Sequence, residues 1–205
     1  MTPGFLRLFL AIAVPPDIRQ EIGRAQGQLR RHAPPGAIRW TRPEQFHVTL
    51  KFLGDVPAAA VAALEKAAGE TCANFPPLPM SAHGIGFFPG ERQPRVLWAG
   101  AHDEAGQLPE LHRQLSAALC WLGAVEKVER FSGHITLGRF KPGRHGALAG
   151  LMKRAATLRS LPFGEWQAGE VELVRSELDS AGAVHTVLAT FPLKATDAPA
   201  DGCSP

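Results

Sequence analysis

Two short segments of the chain each carry a histidine and a threonine separated by one apolar residue. The first segment holds His47 and Thr49, and the second holds His134 and Thr136. Both motifs lie among residues that favour β-strands. Because side chains two residues apart on a strand point to the same face, each motif presents an imidazole and a hydroxyl together. Two such motifs facing each other would converge on one small anionic group.

The chemistry that this arrangement favours is acid–base attack on a phosphodiester. An imidazole has an unperturbed pKa of about 6.5, so one histidine can be neutral while the other is protonated. The pair would supply a base for water and an acid for the leaving oxygen, each worth about 10²–10⁴-fold in rate. Threonine hydroxyls and an arginine would hold the phosphate oxygens. A cyclic phosphate suits such a site, because ring strain and a hydroxyl leaving group reduce the demand for a metal ion.

Composition limits the other classes of function. The chain has 205 residues, 45% of them hydrophobic, which predicts a packed core. A net charge of +3 is too small to indicate genome-scale DNA or RNA binding, but it allows a local basic cleft. Three cysteines without a close-spaced pair exclude a disulfide framework or a Cys-x-x-Cys zinc site and fit a reducing cytoplasm. We therefore expect no metal, no cofactor and no membrane association, the apolar stretch 6–14 being too short to span a bilayer.

Hydrophobic periodicity predicts an α+β fold. Strands often follow one another without a helix between them, which indicates antiparallel or mixed sheets. The predicted strands are 5–14, the two motif segments, 80–87, 95–100 and a hairpin formed by 171–178 and 184–193. The predicted helices are 18–31, 57–72, 108–122 and 148–158, and the proline-rich segment 76–79 is interpreted as a stiff connector.

Several stretches together resemble a known family. They are HVTL at 47–50, HITL at 134–137, RLFLAI at 7–12, FHVTLKFLG at 46–54 and PRVLW at 94–98. The chain from about residue 5 to 193 is similar to the RNA 2′,3′-cyclic phosphodiesterases, also called LigT-like or 2′-5′ RNA ligase proteins, of the two-histidine phosphoesterase superfamily. The resemblance implies one domain over residues 1–194, with two pseudo-symmetric lobes of antiparallel or mixed sheet and outer helices around a central cleft. Residues 195–205 are predicted to form a flexible tail.

The resemblance also implies the activity and the site. The reaction would be metal-independent hydrolysis of RNA 2′,3′-cyclic phosphate ends to 2′-phosphates, with reversible 2′-5′ RNA ligation as an associated reaction. Its substrates would be RNA ends or nucleoside 2′,3′-cyclic phosphates, and the protein is expected to be a cytoplasmic monomer. The implied site residues are the acid and base His47 and His134, the phosphate-binding Thr49, Thr136 and Arg139, and Phe52 in the nucleoside site.

Alternation places Phe52 with Val48 and Leu50 on the face opposite His47. It also places Arg139 on the face opposite Thr136, which conflicts with the role that the resemblance implies for Arg139. Gly138 would relieve this conflict by permitting a bulge or twist; otherwise Arg139 is a surface cation.

The chain departs from the family pattern at two positions. Gly133 stands where proline is usual, which predicts a looser loop before the second motif, and His185 stands where an aromatic residue, often tyrosine, is common. We interpret His185 as structural. The other histidines, at positions 32, 83, 102, 112 and 145, form no recognisable constellation, and Arg92 and Arg95 either guide RNA or belong to a solvated loop.

Other functions remain open on the sequence alone. One is a phosphodiesterase for a small nucleotide-derived cyclic phosphate of the ADP-ribose type. Another is an RNA-end-binding module without turnover, which intact histidines and threonines in both motifs disfavour. The third is a structural role, since a single histidine on a strand is more often structural than catalytic.

Overall fold

The computed structural model describes residues 4–123, 131–142, 148–179 and 182–194, which form one curled antiparallel sheet and four α-helices. The strands are β1 (Phe5–Ala13), β2 (Ile38–Trp40), β3 (His47–Pro57), β4 (Leu78–Phe88), β5 (Val96–Asp103), β6 (His134–Phe140), β7 (Pro162–Ala168), β8 (Glu170–Asp179) and β9 (Gly182–Pro192). The helices are α1 (Pro16–His32), α2 (Val61–Cys72), α3 (Gln107–Ala118) and α4 (Ala149–Thr157). The predicted α+β class is confirmed.

The sheet consists of two halves joined at its centre. The strand order is β7-β4-β5-β6-β3-β1-β8-β9, with β2 beside β6. In the register of the described residues, β3 meets β6 at Val48 opposite Ile135. We call β3, β1, β8 and β9 the first half, β6, β5, β4 and β7 the second half, and the β3–β6 junction the seam. The sequence predicts a cleft between two sheets, whereas the structure joins the two halves into one sheet.

One face of the sheet is covered by helices, and we call the other the open face. Helix α2 contacts β8 and β9, and α3 contacts α2 and β3, so these helices cover the first half. Helices α1 and α4 contact each other, β7 and β4, and so cover the second half. Helix α1 buries Ile18, Ile22, Ala25 and Leu29, whose spacing forms one apolar stripe. Full burial of each larger side chain contributes about 1.5–3 kcal/mol.

Most predicted elements agree with the structure, and the differences lie at the outer edge of the second half and at the end of α3. Strand β7 was not predicted, because only Phe163 and Ala168 are buried along it and the intervening residues are polar or partly exposed. Strand β4 begins at Leu78, inside the segment interpreted as a connector, because β7 pairs with it there. The helix predicted to reach residue 122 ends at Ala118 and is followed by a 3₁₀ turn. The predicted tail, 195–205, lies outside the described residues.

No helix within the described residues is long and apolar enough to cross a membrane.

Candidate active site

The two His-x-Thr motifs meet on the open face at the seam. Each histidine is the first residue of its strand. Strands β3 and β6 are antiparallel, and Val48 of β3 lies opposite Ile135 of β6. Residues that flank a pair in this register lie opposite one another, so each histidine lies beside the threonine of the other motif. Val48 and Ile135 are fully buried in the core on the other face. The structure therefore brings the four predicted polar side chains together.

Both histidines are held in the same way. The Nδ1–H of His47 donates to the carbonyl oxygen of Gln45 at 2.7 Å, and that of His134 donates to the carbonyl of Ser132 at 2.9 Å. A carbonyl oxygen can only accept, so these bonds fix the tautomer and leave Nε2 of each ring for proton exchange. In the first motif, Nε2 lies 3.1 Å from the hydroxyl of Thr49, which donates to it.

A bulge in β3 moves Phe52 to the open face. Successive residues of β1 pair with Thr49 and Lys51, so Leu50 is left as an extra residue. The ring of Phe52 is 55% exposed and its centroid lies 6.1 Å from that of Phe9, next to His47. Simple alternation was therefore wrong for Phe52.

A matching bulge in β6 does the same for Arg139. Successive residues of β5 pair with Thr136 and Gly138, leaving Leu137 as the extra residue. The positive charge of Arg139 lowers the pKa of both His47 and His134, so the guanidinium lies near the two imidazoles. The conflict between alternation and the role implied for Arg139 is removed by this bulge.

Two glycines fit closely around the second motif. A Cβ on Gly138 would lie 2.6 Å from Cγ2 of Ile38, so β2 could not approach β6 if the bulge held a larger residue. A Cβ on Gly133 would lie 2.4 Å from the carbonyl oxygen of Ala101, whose backbone N–H donates to the carbonyl of Gly133 at 3.1 Å. The loop before His134 is thus closely packed, and the prediction that Gly133 loosens it was wrong.

Both imidazoles are harder to protonate than free histidine. Burial lowers the pKa of His47 to about 4, assisted by the charges of His185, His134 and Arg139 and opposed by its bond to the Gln45 carbonyl. Burial also lowers the pKa of His134, with Arg139 adding to this and the Ser132 carbonyl opposing it. An anion bound between them would raise both pKa values, because an opposite charge favours the protonated form.

Aromatic rings surround the motifs, and the sequence analysis did not assign them to the site. Phe9 lies 4.9 Å from His47 between ring centroids, and His185 lies 5.4 Å from His47 in an edge-on arrangement. On the other side, Phe88 is edge-on to His134 at 5.0 Å, and Trp98 lies 5.0 Å from Phe88. Phe9 lies in an unbroken buried apolar run, Leu8 to Ile12, so alternation along β1 carried no signal for its position.

His185 lies in the cleft beside His47, although the sequence analysis interpreted it as structural. It comes from β9, far away in sequence, and helps to line a cavity of about 200 Å³ together with Phe9, Val174, Glu172 and Arg19. Burial and the charge of Arg42 lower the pKa of His185.

Two further histidines form a pair that the sequence analysis did not predict. His83 and His102 stack with ring centroids 3.8 Å apart and planes 9° apart, on neighbouring strands of the second half. His145 lies outside the described residues, and the side chains of Arg92 and Arg95 are exposed.

Comparisons with known proteins agree with the fold. The model of the LigT-like phosphoesterase family matches residues 12–98. An RNA 2′,3′-cyclic phosphodiesterase of Methanothermobacter thermautotrophicus is 32% identical over 189 residues, covering 92% of this chain and 99% of that protein. The chain belongs to the LigT-like phosphoesterase family. As a member of this family it is a hydrolase of the phosphodiesterase class.

Solved structures, among them that of Escherichia coli LigT, share the fold. The structure of TT0787 of Thermus thermophilus matches with a TM-score of 0.75 and 29% identity, covering 92% of this chain and 98% of that one. Escherichia coli LigT complexed with 3′-AMP matches with a TM-score of 0.72 and 26% identity, at the same coverage. The predicted family and the predicted LigT-like architecture are confirmed.

Proposed function

We propose that this chain hydrolyses RNA 2′,3′-cyclic phosphate ends to 2′-phosphates by acid–base catalysis from His47 and His134, without a metal ion. The observation that carries the proposal is the matched pair of imidazoles, each with Nδ1 bound to a backbone carbonyl and each with its pKa lowered by the nearby charge of Arg139. Relatives that align over most of the chain are named RNA 2′,3′-cyclic phosphodiesterase, which supports the choice of substrate.

In this mechanism the two imidazoles act on opposite sides of phosphorus. Neutral Nε2 of His134 takes a proton from water as the water oxygen bonds to phosphorus. The bond from phosphorus to the 3′ oxygen breaks, and protonated Nε2 of His47 delivers its proton to that oxygen. The products are a 2′-phosphate and a 3′-hydroxyl. Proton exchange with solvent then restores both imidazoles.

The remaining site residues hold the phosphate. The hydroxyls of Thr49 and Thr136 donate to its non-bridging oxygens, and Arg139 neutralises the charge that develops on them. Thr49 donates to His47 in the absence of substrate, so its hydroxyl changes acceptor when the phosphate binds. Phe52 is exposed at the edge of the site and offers an aromatic surface to the nucleoside.

The assignment of His47 as the acid follows the family resemblance and requires a proton that the free site does not hold at neutral pH. Its pKa of about 4 keeps it neutral in the empty cleft. The negative phosphate raises this pKa, so His47 takes up a proton together with the substrate. Calorimetric titration with phosphate in buffers of different ionisation enthalpy measures this uptake, which His47→Ala should reduce to the share that belongs to His134.

The test of the proposed function uses an oligonucleotide that ends in a 2′,3′-cyclic phosphate, incubated with purified protein in excess chelator. Hydrolysis should continue, and chromatography or phosphorus NMR should identify a 2′-phosphate. A matched preparation of the double variant His47→Ala/His134→Ala reveals any contaminating nuclease. Activity that requires a divalent ion, or a product that is mainly 3′-phosphate, would contradict the proposal. Within the described residues, no three His, Cys, Asp or Glu side chains come together as a metal site requires.

The other expectations stay predictions. They include 2′-5′ ligation, a single domain over residues 1–194, a monomer and a cytoplasmic location. A small nucleotide-derived cyclic phosphate is the alternative substrate, and relative kcat/KM values for the two substrate types decide between them. An RNA-end-binding module would bind the oligonucleotide without turnover in the same assay.

A further inference from the structure

Two arginines stand side by side at one end of the seam. Arg39 on β2 pairs directly with Arg139 on β6, and cross-strand partners project from the same face of a sheet. Burial lowers the pKa of Arg139, and the positive charge of Arg39 lowers it further, which confirms that the two guanidinium groups are close. Like charges placed directly opposite each other destabilise a sheet unless an anion lies between them.

The protein itself supplies no such anion in the part of the chain that the structure describes. The ion pairs there involve other arginines, such as Arg24, Arg113 and Arg159. Neither Arg39 nor Arg139 forms an ion pair with a described carboxylate, and both side chains are exposed. The pair is therefore available to an anion from solution, and the planar guanidinium fork suits phosphate oxygens.

The position of Arg39 separates it from the reacting phosphate. Arg39 lies opposite Arg139, which follows Thr136 further along β6 and away from the pair Val48–Ile135 between the motifs. Because β3 and β6 run antiparallel, Phe52 and Arg139 follow their motifs toward opposite ends of the seam. An anion between the two arginines thus lies beyond the catalytic centre, at the end away from Phe52.

We propose that Arg39 and Arg139 form a second phosphate subsite, which binds the phosphodiester that precedes the terminal nucleotide of an RNA strand. This inference rests on the proposed function. An RNA end carries that phosphodiester, and a nucleoside 2′,3′-cyclic phosphate does not. Arg39 is then a specificity residue that favours RNA ends over mononucleotides, while Arg139 serves both phosphates.

The test compares two substrates with the same terminal base, a dinucleotide with a 2′,3′-cyclic phosphate and the corresponding mononucleotide. Arg39→Gln should lower kcat/KM for the dinucleotide about fivefold, the upper range for an exposed charge pair. The mononucleotide should be unaffected, which also shows that the variant is folded. Arg39→Lys keeps the charge but loses the planar fork of the guanidinium. Its kcat/KM for the dinucleotide should therefore lie between those of Arg39→Gln and the wild type.

The matched control is Arg31→Gln, an exposed position in the last turn of α1. This variant removes one positive charge from the helix-covered side of the sheet. Its kcat/KM should equal that of the wild type for both substrates. Salt supplies a second readout: the slope of log kcat/KM for the dinucleotide against log salt concentration should fall by roughly 0.7 in Arg39→Gln, as expected for one lost contact to a single strand.

The outcomes separate this inference from the function on which it rests. Equal losses on both substrates would place Arg39 at the reacting phosphate and overturn the subsite. No loss on the dinucleotide, or an equal loss in Arg31→Gln, would also overturn it. Wild-type protein that hydrolyses neither substrate would instead refute the proposed function.

Discussion

The two halves of the open face begin from the same motif and give its histidine different surroundings. In the first half, His47 packs against Phe9 and His185, accepts a hydrogen bond from Thr49 and has a pKa of about 4. In the second half, His134 has one aromatic neighbour at 5.0 Å, Phe88, and fewer charges lower its pKa. Equivalent sequence thus gives imidazoles with inequivalent surroundings.

The residues that follow the two bulges, Lys51 and Gly138, also have different surroundings in the two halves. Lys51 follows the first bulge and is buried, with its ammonium donating to Ser116 of α3 at 3.3 Å. Gly138 stands at the matching position in the second half, where β2 packs against it. A β-bulge is therefore followed by a residue that contacts a helix in the first half and by a residue that contacts a strand in the second half. It also presents an aromatic ring, Phe52, in the first half and a cation, Arg139, in the second.

The largest expected effect tests whether the two histidines have different roles. His47→Ala and His134→Ala should each lower kcat about 10²–10⁴-fold, the range for one positioned proton transfer. A 3′-thio cyclic substrate has a leaving group that needs no proton, so it should restore much of the rate to His47→Ala and little to His134→Ala. Circular dichroism and thermal unfolding verify the folds. The reverse pattern would exchange the two roles, and no restoration in either variant would exclude a histidine acid.

The next largest effect compares the threonines. Thr49→Val and Thr136→Val should each lower kcat/KM about tenfold or more, because a hydrogen bond to a charged group contributes about 1.5–3 kcal/mol. Steady-state kinetics on the cyclic dinucleotide measure both. A Ser variant at either position keeps the hydroxyl and should retain most of the activity. Wild-type kinetics in both Val variants would assign the threonines a structural role.

A smaller effect is expected where the halves present Phe52 and Arg139. Phe52→Ala should raise KM about fivefold or more, since stacking of a base on an aromatic side chain contributes about 1–3 kcal/mol. Its unfolding temperature should change little, because the ring is 55% exposed. Leu161→Ala, at another exposed apolar side chain in the second half, is the control and should keep the wild-type KM. An unchanged KM in Phe52→Ala would remove Phe52 from the nucleoside site.

The smallest effect concerns pH. Both catalytic pKa values are lowered from about 6.5, so kcat/KM should be greatest below that pH and fall as the pH rises and His47 loses its proton. His185→Gln removes a positive neighbour, which raises the pKa of His47 and moves the alkaline limb slightly toward higher pH. A pH–rate profile measures both. A shift toward lower pH would show that His185 stabilises protonated His47.

Much of this site was predictable because the motifs are local. Alternation at His47-x-Thr49 and its repeat predicted which side chains share a face, and apolar periodicity predicted most helices and strands. Alternation failed for Phe52 and Arg139 because a bulge depends on the register of the neighbouring strand, which the residues of one strand do not encode. The family resemblance placed both residues in the site where local physics did not.

Other features depend on contacts between distant parts of the chain. His185 lies near His47 because β8 pairs with β1, and β9, which contains His185, pairs with β8. The stacking of His83 on His102 depends on the β4–β5 register. Strand β7 has too few buried residues for a periodic signal, and its position follows from pairing with β4.

The exchange of helices between the halves has a consequence for how the protein folds. Helix α1 follows a strand of the first half and covers the second, whereas α3 connects two strands of the second half and covers the first. The first half also needs the last hairpin, β8 and β9, to complete its strands. Neither half is a continuous piece of chain with its own core, so neither can act as an independent folding unit. Most contacts between the described residues join positions distant in sequence, which slows folding. The two imidazoles therefore come together only after strands from distant parts of the chain have paired at the seam.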